Sequence, residues 1–373
     1  MKYYLTLLCF AYFYLQSPAQ EHYLVVGTYD SPESEGIYIY TFNSSTGNAE
    51  KVSHIKSSNP SFVAISPDEK FVYAVFENSK DGNGGEVAAY SFDRQTGQLR
   101  FINKELSGGD HPCYVETDKT GKWVFAGNYS SGNLAVFPVN TDGGLSAAIS
   151  TIQHSGSGKN FQRQKSPHVH STVISPDNNW LFAPDLGIDK IMIYRFDANS
   201  GQLTAGDQAY AVSEPGSGPR HFTFHPNNKY AYLIEELSGT VVTYKYKKGK
   251  LNTIQRLSTM PSGDTSFAGS ADIHVSPDGK FLYATNRSNA NTIAIYSVNK
   301  KGKLSLIGHQ STLGKGPRNF NFDPSGSFLL VGNQHSDEIV IFKRDATSGL
   351  LSDSGKRIAV GKPVCIKWIS AAR

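Results

Sequence analysis

Six ionisable residues stand in segments that otherwise read as buried strand: Glu77, His170, Arg220, Glu236, Arg287 and Arg318. Removing a lone charge from water costs on the order of several kcal/mol, so these groups need a ligand or one another. His168 lies two residues before His170, a spacing that points both rings the same way along a strand. Two histidines could hold a metal, but no third Cys, His or carboxylate stands at a recognisable ligand spacing, so no metal or other cofactor is expected. Asp185-Leu-Gly-Ile-Asp189 reads as a turn at a strand end rather than a cation loop. The plain alternative for the arginines and glutamates is an ion-pair network stapling neighbouring repeats, and His221 and His274 read as structural residues of the same kind.

The elements that position these residues repeat. A short strand pattern with an aromatic near its end begins at Gly36, Glu86, Asn133, Lys190, Thr240, Thr292 and Glu338. The successive spacings are 50, 47, 57, 50, 52 and 46 residues, close to the roughly 40 to 50 residues of a propeller blade. Each copy is followed by a turn rich in Gly with Asn or Asp, such as Asp93-Arg-Gln-Thr-Gly97, and then by a new strand start. Before six of the copies a tight turn leads into an aromatic-headed strand, as in Ser66-Pro-Asp-Glu-Lys-Phe71 and Ser276-Pro-Asp-Gly-Lys-Phe281. Ahead of those turns, strands open at Pro60, Pro112, Pro219 and Pro317. The expectation is an all-β, seven-bladed β-propeller with four-stranded antiparallel blades.

The first unit begins at Tyr23-Leu-Val-Val-Gly-Thr28 without an opening strand, and Pro363-Val-Cys-Ile-Lys-Trp368 is an opening strand without a blade. The C-terminal strand is therefore expected to join the N-terminal blade and close the ring, which leaves no open sheet edge at the seam. Innermost strands of a propeller line a central channel, so polar residues at one repeat position converge there. Counting six back from each turn proline or its equivalent aligns Ser61, Cys113, His170, Arg220, Ala271 and Arg318. The next position aligns Phe62, Tyr114, Ser171, His221, Asp272 and Asn319. Six on from each aromatic strand leader stand Glu77, Tyr129, Leu186, Glu236, Arg287 and Gln334, preceded by Phe76, Asn128, Asp185, Glu235, Asn286 and Asn333.

At Gly218-Pro-Arg-His221 with Glu236, Pro167-His-Val-His170 before it and Asn286-Arg287 after it, the chain resembles the lactonase family of seven-bladed propellers. That family includes propeller-type 6-phosphogluconolactonases and a carboxy-muconate lactonising enzyme. The resemblance spans the mature chain through Val26-Gly-Thr-Tyr29, Gly127-Asn-Tyr129, Asp185-Leu-Gly187, Pro317-Arg-Asn-Phe320 and Pro363-Val-Cys365. Two positions depart from the family pattern: Asp272 stands where Glu is usual, and Phe76 replaces Asn. The resemblance implies a catalytic set of His170, Arg220, Glu236 and Arg287. His168, His221, Glu77, Asn128, Arg318 and Gln334 are the expected substrate-binding residues. Opening a lactone with water needs a base, cationic donors for the developing oxyanion and a proton for the departing ring oxygen. Glu236 or His170 would be the base, and the arginines would anchor a small anionic lactone or sugar acid. A muconate-type cycloisomerase would use the same groups, and a non-catalytic, exported ligand-binding propeller needs only their affinity.

Composition narrows the remaining choices. Hydrophobic residues are 39% and charged residues 18%, which excludes a disordered chain, and 41 Phe plus Tyr against three Met favour strands over helices. A net charge of +4 without long runs of one sign predicts no nucleic-acid partner. Residues 1–19 read as a signal peptide: Lys2, an apolar stretch from Tyr3 to Leu15, then Ser17-Pro-Ala19. That stretch is short of the roughly 20 residues a spanning helix needs. The mature chain, 20–373, is expected to be a single exported domain, periplasmic or extracellular, off the membrane and monomeric. Its two cysteines, Cys113 and Cys365, fall in blades that are not neighbours and are expected to be free and buried.

Overall fold

The computed structural model describes residues 21–79 and 84–370; the proposed signal peptide lies outside the described residues. Seven four-stranded antiparallel sheets form the ring, and the expected architecture holds strand for strand. Every repeated strand starts at or beside its sequence marker: Ile37, Glu86, Asn133, Lys190, Thr240, Thr292 and Glu338. The aromatic leaders Phe71, Trp123, Trp180, Tyr230, Phe281 and Phe328 each begin the second strand of their blade. The turns work as their composition demands. Asp118, for example, accepts the main-chain N–H of Thr120, Lys122 and Trp123, which fixes the entry into strand Trp123–Asn128.

The ring closes where expected. Pro363–Ser370 pairs antiparallel with Glu21–Thr28, placing Val26 opposite Ile366 and Val25 opposite Lys367, so the first blade is built from both ends of the chain. Both cysteines are free and buried. Second strands such as Trp123–Asn128 and Phe328–Asn333 are buried at every residue, because sheets cover both their faces. Outer strands such as Gln98–Leu106 meet water along much of their length. Adjacent blades interlock through aromatic edges, as where Phe42 of the first meets Phe328 of the seventh at 5.7 Å.

The residues just before the aligned channel positions serve this framework. Asn128 donates to Ser107 O, Asn286 to Thr259 O and Asn333 to Thr312 O, each tying a second strand to the preceding connection. Asp185 accepts His154 Nδ1 at 2.7 Å, and Glu235 pairs with Arg256 at 2.6 Å. Two innermost strands are shortened: that of the second blade begins at Val63 instead of Pro60 and ends at Ile65. The innermost strand of the fourth is only Val173–Ile174, with a lone bridge from Val169 to Asp185 preceding it, so His168 and His170 sit on extended chain outside a regular strand.

Candidate active site

Glu236 is the centre of the site. It follows strand Tyr230–Glu235 and is 4% exposed. Its Oε2 accepts Arg220 Nε at 3.0 Å and pairs with Arg287 Nη2 at 3.0 Å, while Oε1 accepts Arg163 Nη2 at 2.7 Å. Burial alone would raise this carboxyl, but the guanidiniums of Arg287, Arg220 and Arg163 overcome it and bring it down to about 2. Two of these arginines are aimed by carbonyls at the start of strand Ser270–Val275: Arg220 Nη1 donates to Ala271 O within it and Arg287 Nε to Gly269 O just before it. The forks are therefore held in place before any ligand arrives. Burial, with Arg287 and Arg318 nearby, pushes Arg220 down to about 9, which leaves it cationic at neutral pH.

His170 lies beside this cluster, its Nε2 3.9 Å from Glu236 Oε2 and its Nδ1 3.7 Å from Cys113 Sγ. Burial and the cations Arg220 and Arg318 hold its proton affinity well below the usual imidazole range, so it is a neutral free base. Burial likewise pushes the Cys113 thiol up, keeping it protonated. On the opposite wall, Arg318 Nη2 donates to Tyr29 Oη at 2.8 Å, and Tyr29 donates onward to Glu77 Oε2 at 2.8 Å, which Ser61 also reaches. The walls enclose a cavity of about 780 Å³ lined by Glu236, His170, Arg163, Arg287, Glu77 and Arg318 together with Tyr29, Tyr129, Lys315 and His335. Four arginines and Lys315 surround two carboxylates, so the cavity favours an anion.

The structure thus brings His170, Glu236, Arg287, Glu77 and Arg318 around one cavity, with Arg220 buried against Glu236 outside its lining. The other named residues lie apart from it. Asn128 is inside the third blade, as described above. His168 stacks on Tyr129 at 4.5 Å and its Nδ1 meets Tyr129 O at 2.8 Å, so it backs a cavity-lining ring without lining the cavity itself. Gln334 bonds through its main chain to Gly316 O. His221 faces a second cavity of about 400 Å³ with Tyr114, Glu116, Lys367 and Asp272, toward the other end of the channel. Its Nδ1 meets Asp272 Oδ1 at 2.7 Å, bonding the fifth blade to the sixth, which fits the structural reading. Among the described residues no group of three or more His, Cys, Asp and Glu is placed to hold a metal ion.

Arg163, Tyr129 and Tyr29 were not among the expected site residues. Tyr129 stood in the same aligned register as Glu77 and Glu236. Arg163 belongs to no repeat; it lies on the connection behind the longest spacing, 57 residues, between the third and fourth strand copies. That connection can descend on the site because Gly187 has no side chain: a Cβ there would stand 1.9 Å from Ser166 O.

Fold and site together define a seven-bladed propeller whose channel opens on a cavity lined by a buried carboxylate, three guanidiniums and a neutral imidazole. Residues 23–368 match the family model for the seven-bladed β-propeller lactonases, and the chain belongs to that family of carboxylic-ester hydrolases. It is 41% identical over 342 residues to a 6-phosphogluconolactonase of Formosa agariphila, covering 90% of this chain and 96% of the relative. A crystal structure of a Bacteroides fragilis protein described as a putative 6-phosphogluconolactonase superposes with a TM-score of 0.89 at 42% identity, covering 94% of this chain and 98% of that one. The structure of a periplasmic gluconolactonase of Pseudomonas aeruginosa superposes with a TM-score of 0.90 at 36% identity, covering 94% and 100%.

Proposed function

We propose that the protein hydrolyses a sugar-acid δ-lactone, with His170 as the base. The observation that carries this reading is the neutral imidazole of His170 beside a carboxylate already saturated by arginines. A carboxylate held near 2 is a poor proton acceptor at neutral pH, whereas an unprotonated imidazole accepts readily. Water bound in the cavity gives a proton to His170 Nε2 as its oxygen bonds to the lactone carbonyl carbon. Arg287, which lines the cavity, stabilises the oxyanion, and Arg220 holds Glu236 in place. The ring C–O bond then breaks, and the proton on His170 passes to the departing alkoxide oxygen, leaving the open hydroxy acid. Glu236, 3.9 Å from His170 Nε2, offsets the positive charge the imidazole carries between these steps.

The names of the relatives support a sugar-acid lactone, phosphorylated or not, and the periplasmic relative accords with export after residue 19. The test is ring opening of 6-phosphoglucono-δ-lactone and glucono-δ-lactone by residues 20–373, followed by pH-stat and corrected for spontaneous hydrolysis. Enhancement on either lactone supports the reading. No enhancement on both would sink it and shift the assignment to a cycloisomerase or a binding propeller.

A further inference from the structure

Arg163 is the one member of the Glu236 cluster that no blade carries. Its side chain is 36% exposed, against 18% for Arg287 and 1% for Arg220. Nη2 alone reaches both Glu236 Oε1 and Tyr129 Oη, at 2.7 and 3.0 Å, and neither Nη1 nor Nε makes a hydrogen bond among the described residues. The two deeper arginines are braced by main-chain carbonyls; Arg163 has no such brace. Its backbone, in contrast, is fixed. The next residue, Gln164, is fully buried and donates to Leu186 O at 2.8 Å and Asp189 Oδ1 at 2.7 Å. Gly158 N donates to Gln164 O at 2.9 Å, closing the loop on itself. A rigid base thus carries a guanidinium that can turn about its side-chain bonds with two nitrogens still free.

Resting on the lactonase reading, we propose that Arg163 is an anion clamp that exchanges partners: Glu236 in the free enzyme, a phosphate on the substrate lactone in the complex. A phosphate ester offers more charge and more acceptor oxygens than one shared carboxylate, and the fork of an arginine meets it with two donors. The exchange frees Glu236 Oε1 and leaves the carboxylate two guanidiniums instead of three. Its negative field at His170 then grows when an anionic substrate has bound. Arg163 would accordingly set the preference between phosphorylated and plain lactones.

Arg163→Gln should raise KM for 6-phosphoglucono-δ-lactone about tenfold or more while moving KM for glucono-δ-lactone less than about threefold, and Arg163→Lys should recover part of the loss. Calorimetric titration with the ring-opened acids, 6-phosphogluconate and gluconate, reads the same preference without turnover. Wild type should bind the phosphorylated acid more tightly, and Arg163→Gln should lose that margin. Equal losses on both compounds, no loss on the phosphorylated one, or a wild type that binds the two acids alike or neither of them would overturn the clamp. Wild-type protein that opens neither lactone would overturn the lactonase reading, and the calorimetric preference would still decide the clamp.

Discussion

The two ends of the channel are built from neighbouring residues of the same inner strands, and one glutamate at each is driven in the opposite direction to the other. At one end Glu236 is brought down to about 2 because three guanidiniums outweigh burial. At the other, Glu116 is pushed up to about 7 because burial outweighs Lys119 and Lys367. The histidines also differ. His170 lines the large cavity, while His221, lowered by burial and Arg220 to about 3, is bonded through Nδ1 to Asp272. Asp272 accepts in addition from His274 Nε2 at 3.0 Å, Asn319 Nδ2 and the main-chain N–H of Ile273 and Phe320, and with His274 and His221 around it stays well below the usual carboxyl range although burial opposes this. One end is cation-rich and open to an anion; the other has its central carboxylate saturated by protein donors. Burial of charge is common to both, so it is the surplus of cations that marks the site.

Glu236→Gln is the strongest way to break this contrast. It keeps the shape but leaves three guanidiniums around a neutral amide and removes the partner of the His170 imidazolium. Turnover should fall by about 10²- to 10⁴-fold, and unfolding stability by about 3 kcal/mol, since a buried ion pair loses one member. Kinetics and urea unfolding by circular dichroism check both numbers. His170→Gln isolates the proton step: the arginine cluster is untouched, so kcat should drop by about 10²- to 10⁴-fold with KM nearly constant. A KM that rises as far as kcat falls would mean that His170 binds substrate and does not move the proton. For wild type, the acid limb of kcat/KM should lie well below pH 6.5, because His170 must be deprotonated to act and its folded proton affinity is depressed.

Asp272→Asn tests the opposite end. An amide presents an N–H₂ to donors that the carboxylate accepted, which should cost about 2–4 kcal/mol of stability. The hydrolytic constants should stay within about threefold, because Asp272 lies outside the large cavity. A loss of kcat/KM comparable to that of His170→Gln would show that the two ends act as one site.

The ring itself was legible because this propeller writes most of its blades twice, once in a tight turn, often Pro-Asp or Pro-Asn, before a strand and once in a Gly-rich turn after it. Ser66-Pro-Asp and Asp93-Arg-Gln-Thr-Gly97 specify local geometry that no tertiary contact needs to override. Aligning the copies also separated the layers. Cys113, His170 and Arg318 line one cavity, Tyr114, His221, Asp272 and Asn319 the next, and Asn128, Asn286 and Asn333 bind inside blades. A single strand does not reveal which of two adjacent polar positions faces the large cavity, so register alone did not set His221 and Asn128 apart from its lining residues. Arg163 escaped because register carries no information about an insertion; its place depends on Gln164 reaching Leu186 O and on the bare face of Gly187.

The smallest effect expected is at Glu116, and it has the opposite sign to that at Glu236. Glu236 binds its proton more weakly folded than unfolded, so the stability it contributes is present above pH 4.5 and disappears as pH falls from about 4.5 to about 2. Glu116 binds its proton more strongly when folded, so its contribution is full below pH 4.5 and is lost as pH rises through about 7. The carboxyl is half-buried and accepts a single main-chain N–H, from Ile174 at 3.3 Å, so the cost of ionising it should be about 1 kcal/mol after solvent screening. Glu116→Gln should therefore flatten the decline of melting temperature between pH 5 and pH 8 by a few degrees without changing it at pH 4. An unchanged slope would place the compensation in Lys119 and Lys367, and Lys367→Met alone would then steepen it, because the Glu116 carboxylate would lose one of its two cations.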